Sequence, residues 1–263
     1  MGDHTLNPVV GETNDSVVNN MWADSIQKED VMAALDSASG GPVAEGSVGA
    51  GTGTQAFGWK GGIGTSSRVL PQSLGGYTVG VLVQTNYGGV LQINGAPVGR
   101  ELNQYAFRDQ LAGTGQTAAA AAQGDGDAED GSIMMVVATD APLHPRALDR
   151  LAMRAIMGLA RTGSSANNGS GDYVIAFSTH PSARSPRMSE TPSSILRLDN
   201  PSMSPLFMAT VEATEEAIYN AILKATTVES SRGRLEAIPL ERVKELLRKD
   251  NVLDWDRTLQ RID

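Results

Sequence analysis

The sequence predicts a layered α/β protein, and three observations carry that reading. Runs of strand character recur: Thr78–Thr85 is rich in β-branched residues, and Ile133 to Ala138 is an unbroken apolar block. Two long segments, from Pro145 to Arg161 and from Ser204 to Ala225, place apolar residues at helical spacing and so need a sheet to cover. The chain has 263 residues, 40% of them hydrophobic and 19% charged, which suits one large domain or two small ones.

Taken in order, Pro8-Val9-Val10 reads as a strand end opening into the polar stretch Gly11 to Asp15. A helix is expected over 27–37, with Val31, Ala34 and Leu35 at helical spacing and Gly40-Gly41-Pro42 as its stop. Gly46 to Gly64 holds eight glycines, either as a plain surface loop or as a loop packed closely against a site. Strands are expected over 66–70, 78–85 and 90–93, the last closing at the turn dipeptide Asn94-Gly95. Asn86 falls in the bend between the second and third. Residues 112–131 read as an exposed linker, with five alanines at 118–122 followed by four acids among glycines, too little apolar surface to offset the entropy of ordering. The apolar block at 133–138 is a strand expected to be buried on both faces. Pro145 suits a first helical position, and Leu148, Leu151, Ala152, Ala155, Ile156 and Leu159 form one face behind it. Another strand follows at 172–178, then a polar loop to Pro201. A long helix then has Ser204 as its cap and Pro205 at its first position, with Leu206, Ala213, Ala217, Ala221 and Ile222 inward. Residues 239–249 form a charged amphipathic helix with Leu240, Val243 and Leu247 on one side, whose charges are a solvated face.

Composition narrows the function. Net charge is −9 with no basic run, which argues against nucleic acid or an anionic membrane as partner. Cysteine is absent, and the three histidines, His4, His144 and His180, are scattered, so neither a metal centre nor a cofactor is expected. No apolar run approaches the ~20 residues that span a bilayer. The polar start, Met1 to Pro8, lacks the layout of a signal peptide, which makes the cytoplasm the default expectation.

The junction at Gly131-Ser132 carries the chemistry. A polar acidic linker ends there and a core strand begins. Cleavage between the two would anchor a serine with a free α-amine at the start of a rigid strand, the arrangement of an N-terminal nucleophile hydrolase. A serine hydroxyl needs a base to act as nucleophile. The α-amine, with a pKa of about 7.7–8.0, can be that base without any histidine. The same hydroxyl can first attack the Gly131 carbonyl, shift the acyl group from nitrogen to oxygen and leave the ester to water. The dipeptide alone is weak, since Gly-Ser also occurs at 46–47, 163–164 and 169–170, where a serine is ordinary.

Several motifs in one order strengthen the reading: Glu12-Thr-Asn-Asp15, Gly41-Pro-Val-Ala-Glu-Gly46, Lys60-Gly-Gly-Ile-Gly-Thr-Ser-Ser-Arg68, Val81-Leu-Val-Gln-Thr-Asn-Tyr-Gly88, Gly131-Ser132 and Gly169-Ser-Gly-Asp-Tyr-Val-Ile-Ala-Phe-Ser178. With these the chain resembles the self-processing serine aminopeptidases of the L-aminopeptidase/D-esterase and β-peptidyl aminopeptidase type, from Pro8 to about Thr179. The resemblance implies a four-layer αββα sandwich of the N-terminal-nucleophile type. It implies that Ser132 is the nucleophile, Asn86 the oxyanion donor, Ser170 a supporting serine and Asp172 an acidic partner, with Glu12 binding the free amine of the substrate. Asn14 stands where some members carry an aromatic. Members of the group carry a further segment ahead of the Pro8 strand, so the sandwich is expected to be incomplete at the N-terminus.

The expected division is a large-subunit portion, 1–131, and a small subunit, 132–263, opening on the nucleophile. The expected activity is hydrolysis of N-terminal amino-acid amides, peptides or esters through an acyl-serine. The expected partners are a small peptide or amide substrate and further copies of the processed heterodimer in a homo-oligomer. Two other functions remain open: an inactive remnant that serves only as an assembly subunit, and an acyltransferase similar to ornithine acetyltransferase, a group that uses threonine where this sequence has Ser132.

Overall fold

A four-stranded mixed sheet organises the protein, and its two faces are unlike each other. In the computed structural model, residues 9–11, 13–23, 25–113, 131–184 and 198–254 are described. Along the chain these form α1 (Lys28–Asp36), the two-residue strands β1 (Gln55–Ala56) and β2 (Trp59–Lys60), β3 (Ile63–Val69), β4 (Thr78–Asn86), the short helices α2 (Val98–Glu101) and α3 (Arg108–Leu111), β5 (Ser132–Thr139), α4 (Pro145–Arg161), β6 (Gly171–Ser178), α5 (Met203–Leu223), the pair β7 (Val228–Glu229) and β8 (Arg234–Leu235), and α6 (Leu240–Lys249).

The sheet runs in the order β3-β4-β5-β6. Neighbours are antiparallel except β5 and β6, which are parallel and joined by α4. A crossover helix is what parallel neighbours require. β4 and β5 come from opposite sides of the expected cleavage point yet pair along their whole length, so both portions share one sheet.

Alternation along the strands separates the faces. Val79, Val81, Val83, Ile133, Met135 and Val137 are buried beneath α4 and α5. Gly64 lets α5 lie directly on β3, since a Cβ there would collide with the carbonyl of Ala217. The two helices run side by side in the same direction: Arg154 stacks 4.0 Å over the Phe207 ring, and Arg161 pairs with Glu215 at 3.2 Å. On the other face Leu82, Met134 and Val136 are only half-buried, while Val69, Tyr173 and Phe177 stand 72%, 61% and 44% exposed. Of the four layers expected, the described residues form two, one sheet and one layer of helices.

Several elements differ from expectation for identifiable reasons. The apolar block in β5 is buried on one face, because helices cover only that side. Val9 and Val10 are exposed and form no strand, and among the described residues the apolar side of α1 packs on no core, with Val31 and Leu35 exposed. Residues 90–93 are no sheet strand: the N–H groups of Val90 and Gln92 donate to the carbonyls of Gly163 and Thr162, both at 2.9 Å, so the end of α4 takes the place of a strand partner. The long helix begins at Met203 with Ser202 at its cap, which puts Pro205 third, but its five expected inward residues are all buried. The linker from 114 to 130, its alanines included, lies outside the described residues.

Candidate active site

Ser132 opens β5 and Asn86 closes β4, and the antiparallel register makes them direct cross-strand partners. Gly171, first residue of β6, is the parallel partner of Ser132 on its other side. Residues level across a sheet share a face. Ile133, the next residue, is fully buried under the helices, so the row Asn86–Ser132–Gly171 belongs to the open face.

Glycines hold this row tight. A Cβ on Gly131 would lie 2.5 Å from Tyr87 Cα and still nearer the Asn86 carbonyl, so only glycine fits ahead of Ser132. A Cβ on Gly171 would meet Ser132 Oγ at 3.1 Å. The Gly171 N–H is shared between two acceptors, the Gly131 carbonyl at 3.2 Å and Ser132 Oγ at 3.3 Å. One backbone donor therefore touches both the hydroxyl and the carbonyl that a self-cleavage would join.

Asn86 is nearly buried, and its Oδ1 accepts from the Gln55 N–H at 3.1 Å. Its Nδ2 makes no hydrogen bond among the described residues and is left free to donate. The Gln55 N–H belongs to the β1–β2 hairpin, which clamps the end of β4: Tyr87 N–H donates to the Gln55 carbonyl at 3.1 Å and Phe57 N–H to the Tyr87 carbonyl at 2.8 Å. Under the hairpin lies Lys60, wholly buried, its ammonium donating to the carbonyls of Gly51, Thr54 and Gly61 at 2.6, 2.9 and 2.7 Å. Burial without a carboxylate partner lowers its pKa to about 8. Tyr87 lies under the same corner, 3.5 Å from the Thr162 hydroxyl, and burial pushes its phenol above the usual range.

The other expected site residues are placed differently. Ser170 donates to Asp172 Oδ1 at 2.8 Å. Asp172 is level with Ile133, so its side chain leaves the sheet on the face opposite Ser132. The structure thus brings Ser132, Gly131 and Asn86 together, and joins Ser170 and Asp172 to each other. Glu12 lies outside the described residues. Its neighbours rest on the open face close to the row: Gly11 lies hard against the Met134 side chain, and the Gln84 side-chain amide donates to Thr13 Oγ1 at 2.5 Å. A cleft beside them is lined by Thr13, Asn14, Met21 and Trp22. An aromatic therefore stands beside Asn14 although Asn14 itself is not one.

His144 and His180 follow the far ends of β5 and β6, about 23 Å along the strands from Ser132. Neither can serve the hydroxyl as base. Among the described residues no group of three or more His, Cys, Asp or Glu side chains could hold a metal ion, and no helix is long and apolar enough to cross a membrane. Sequence reasoning missed Lys60 and Gln55 as parts of the site. The signal was present in the glycine-rich stretch that contains both, because glycines pack where backbone must approach backbone.

Comparison with known proteins places the chain among relatives. The β-peptidyl aminopeptidase BapA of Sphingosinicella microcystinivorans is 42% identical over 245 residues, which cover 92% of this chain and 61% of that protein. The chain therefore spans about three fifths of the length of that protein and of a second BapA, from Sphingosinicella xenopeptidilytica. Among solved structures, the L-aminopeptidase D-Ala-esterase/amidase of Ochrobactrum anthropi, described as a variant of the Ntn hydrolase fold, superimposes with a TM-score of 0.80 at 35% identity over 96% of this chain and 66% of that one. The PH0078 protein of Pyrococcus horikoshii OT3 matches with a TM-score of 0.76 at 40% identity, over 91% of this chain and 62% of its own. The fold is thus of the N-terminal-nucleophile hydrolase type. The model of Peptidase family S58 matches residues 2–236, and the chain belongs to that family.

Proposed function

We propose that the protein is a self-cleaving serine aminopeptidase that hydrolyses N-terminal amino-acid amides, peptides or esters through an acyl-serine at Ser132. The observation that carries this reading is the cross-strand pairing of Ser132 with Asn86, whose Nδ2 is free to donate. In self-cleavage, Ser132 Oγ attacks the Gly131 carbonyl, the C–N bond to Ser132 breaks, and the α-amine takes the proton. The Gly171 N–H supports the developing negative oxygen from its present contact with that carbonyl. Water then hydrolyses the ester and frees Gly131 as a carboxylate. In turnover the neutral α-amine of Ser132 removes the hydroxyl proton and returns it to the departing amine. Asn86 Nδ2 donates to the tetrahedral oxygen, and water clears the acyl group.

Glu12 holds the ammonium of the substrate by a charge-assisted contact, which accounts for action at a free N-terminus. Gly11 and Thr13, its neighbours in the chain, lie against Met134 and Gln84 beside the row, and the Thr13, Asn14, Met21 and Trp22 cleft receives the substrate side chain. Ser170 and Asp172 brace the turn that delivers the Gly171 N–H. The active form is a homo-oligomer of processed heterodimers, 1–131 with 132–263. The relatives' names, a β-peptidyl aminopeptidase and an L-aminopeptidase D-Ala-esterase/amidase, support the substrate class.

The exposed apolar face bearing Val69, Tyr173 and Phe177 favours a second reading, an assembly subunit that works only on association with a longer relative. Intact mass of the purified protein over time, beside an amino-acid p-nitroanilide assay, tests the choice. Two chains split at Gly131-Ser132 with turnover support the aminopeptidase. One uncut, inactive mass supports the subunit.

A further inference from the structure

We propose that Lys60 is a positioning residue that polarises the oxyanion donor through two amide groups in series. This rests on the aminopeptidase reading above and adds a residue to its machinery. The Thr54–Gln55 peptide unit is contacted at both ends. Its carbonyl accepts from the Lys60 ammonium at 2.9 Å, and its N–H donates to Asn86 Oδ1 at 3.1 Å. The next amide is the side chain of Asn86, the cross-strand partner of Ser132, whose Nδ2 makes no hydrogen bond among the described residues. A cation on an amide oxygen draws electron density from the nitrogen and sharpens its N–H as a donor. That donor does the same to the next amide, and hydrogen-bonded amides strengthen one another most in a low-dielectric interior. The positive charge is thus felt at Nδ2 without a cation entering the cleft, where it would repel a substrate ammonium.

The burial of Lys60 is otherwise unexplained. Burying an unpaired ammonium is costly, and methionine would fill the same space at less cost. Its three carbonyl contacts absorb all three protons of the ammonium, so the head is fixed rather than mobile. The surrounding elements turn backbone toward it. Asp15, against Gly53, binds Asn19; Glu236, whose carbonyl accepts from the Lys60 backbone N–H at 2.7 Å, directs its carboxylate to Arg234 at 3.2 Å. No carboxylate among the described residues pairs with the ammonium to cancel its charge.

The test compares wild type with Lys60→Met on an amino-acid p-nitroanilide, using matured protein. Outright loss of an oxyanion donor costs ~10²–10³ in rate, so weakening one should lower kcat on the order of tenfold and leave KM within about twofold. In wild type kcat should fall above pH about 8 as Lys60 loses its proton, and Lys60→Met should lack that limb. An unchanged kcat, or the same alkaline limb in both proteins, overturns the proposal. If the variant does not fold, NMR of the wild-type protein decides. The Gln55 amide proton should move upfield in step with the Lys60 side-chain titration, and a Gln55 resonance that ignores it overturns the relay. A wild-type protein that hydrolyses nothing while Gln55 still follows Lys60 refutes the aminopeptidase reading and supports the relay.

Discussion

The two faces of the central sheet differ in what covers them and in what they carry. The face under α4 and α5 carries Val79, Val81, Val83, Ile133, Met135 and Val137, all buried. The opposite face of the same strands carries Ser132 and Asn86 at its rim and Met134, Tyr173 and Phe177 beyond. One residue of offset separates a buried position from one at the candidate site, since successive side chains leave a strand on opposite sides. The helix-covered face makes the strand ends rigid, and rigidity is what lets a hydroxyl and an amide meet repeatedly in one geometry.

The comparison is broken most severely at Ser132. Ser132→Ala should abolish self-cleavage and lower turnover by ~10⁶-fold, with little change in melting temperature; intact mass, the p-nitroanilide assay and calorimetry read the three quantities. Substantial turnover remaining would place the nucleophile elsewhere. Three residues along the same strand, on the covered face, Met135→Ala should do the reverse, costing about 2–5 kcal/mol of stability in denaturant titration and leaving kcat at 25 °C nearly unchanged. If both variants altered stability and rate alike, the division between faces would be wrong.

Asn86→Ala should still mature, over hours, because cleavage is needed once per molecule. Its kcat should fall ~10²–10³-fold, about 2.7–4 kcal/mol, with KM little changed. Turnover at the unmutated rate would leave Asn86 as a turn residue only. Glu12→Gln should cost about 1.5–3 kcal/mol in kcat/KM for substrates with a free amine and spare self-cleavage. Equal losses in both reactions would make Glu12 structural. The smallest effect is expected from Met134→Ala on the open face, on the order of 0.5 kcal/mol in stability. A loss as large as that at Met135 would show that the open face is as firmly packed as the covered one.

Much of this organisation was legible in the residues. The helix over 145–161 and the strands at 78–86 and 132–139 follow from apolar spacing, β-branched content and Pro145, all local properties that need no knowledge of neighbours. The start of the strand at Ser132 was legible too, because a linker meeting a core strand at Gly131-Ser132 is a change of pattern along the chain. Expectation failed wherever a segment's partner was distant. Residues 90–93 have strand character, yet the carbonyls at the end of α4 reach them first. Val31 and Leu35 have helical spacing, but among the described residues no surface covers them.

The sequence by itself determined which segments become strands and helices, the chemistry available at Ser132, and the family, since these depend on residue type and order along the chain. Tertiary structure alone decided register and face. Nothing local to Asn86 says that it will stand level with Ser132, and nothing local to Asp172 says that it will leave the sheet on the other side; a shift of one residue in pairing would exchange both. The same holds for Lys60, whose charge reaches Asn86 only because a hairpin folds back on the end of β4. Contacts between residues far apart in the chain are set by how the apolar faces of whole elements meet, and that is a property of the packed core.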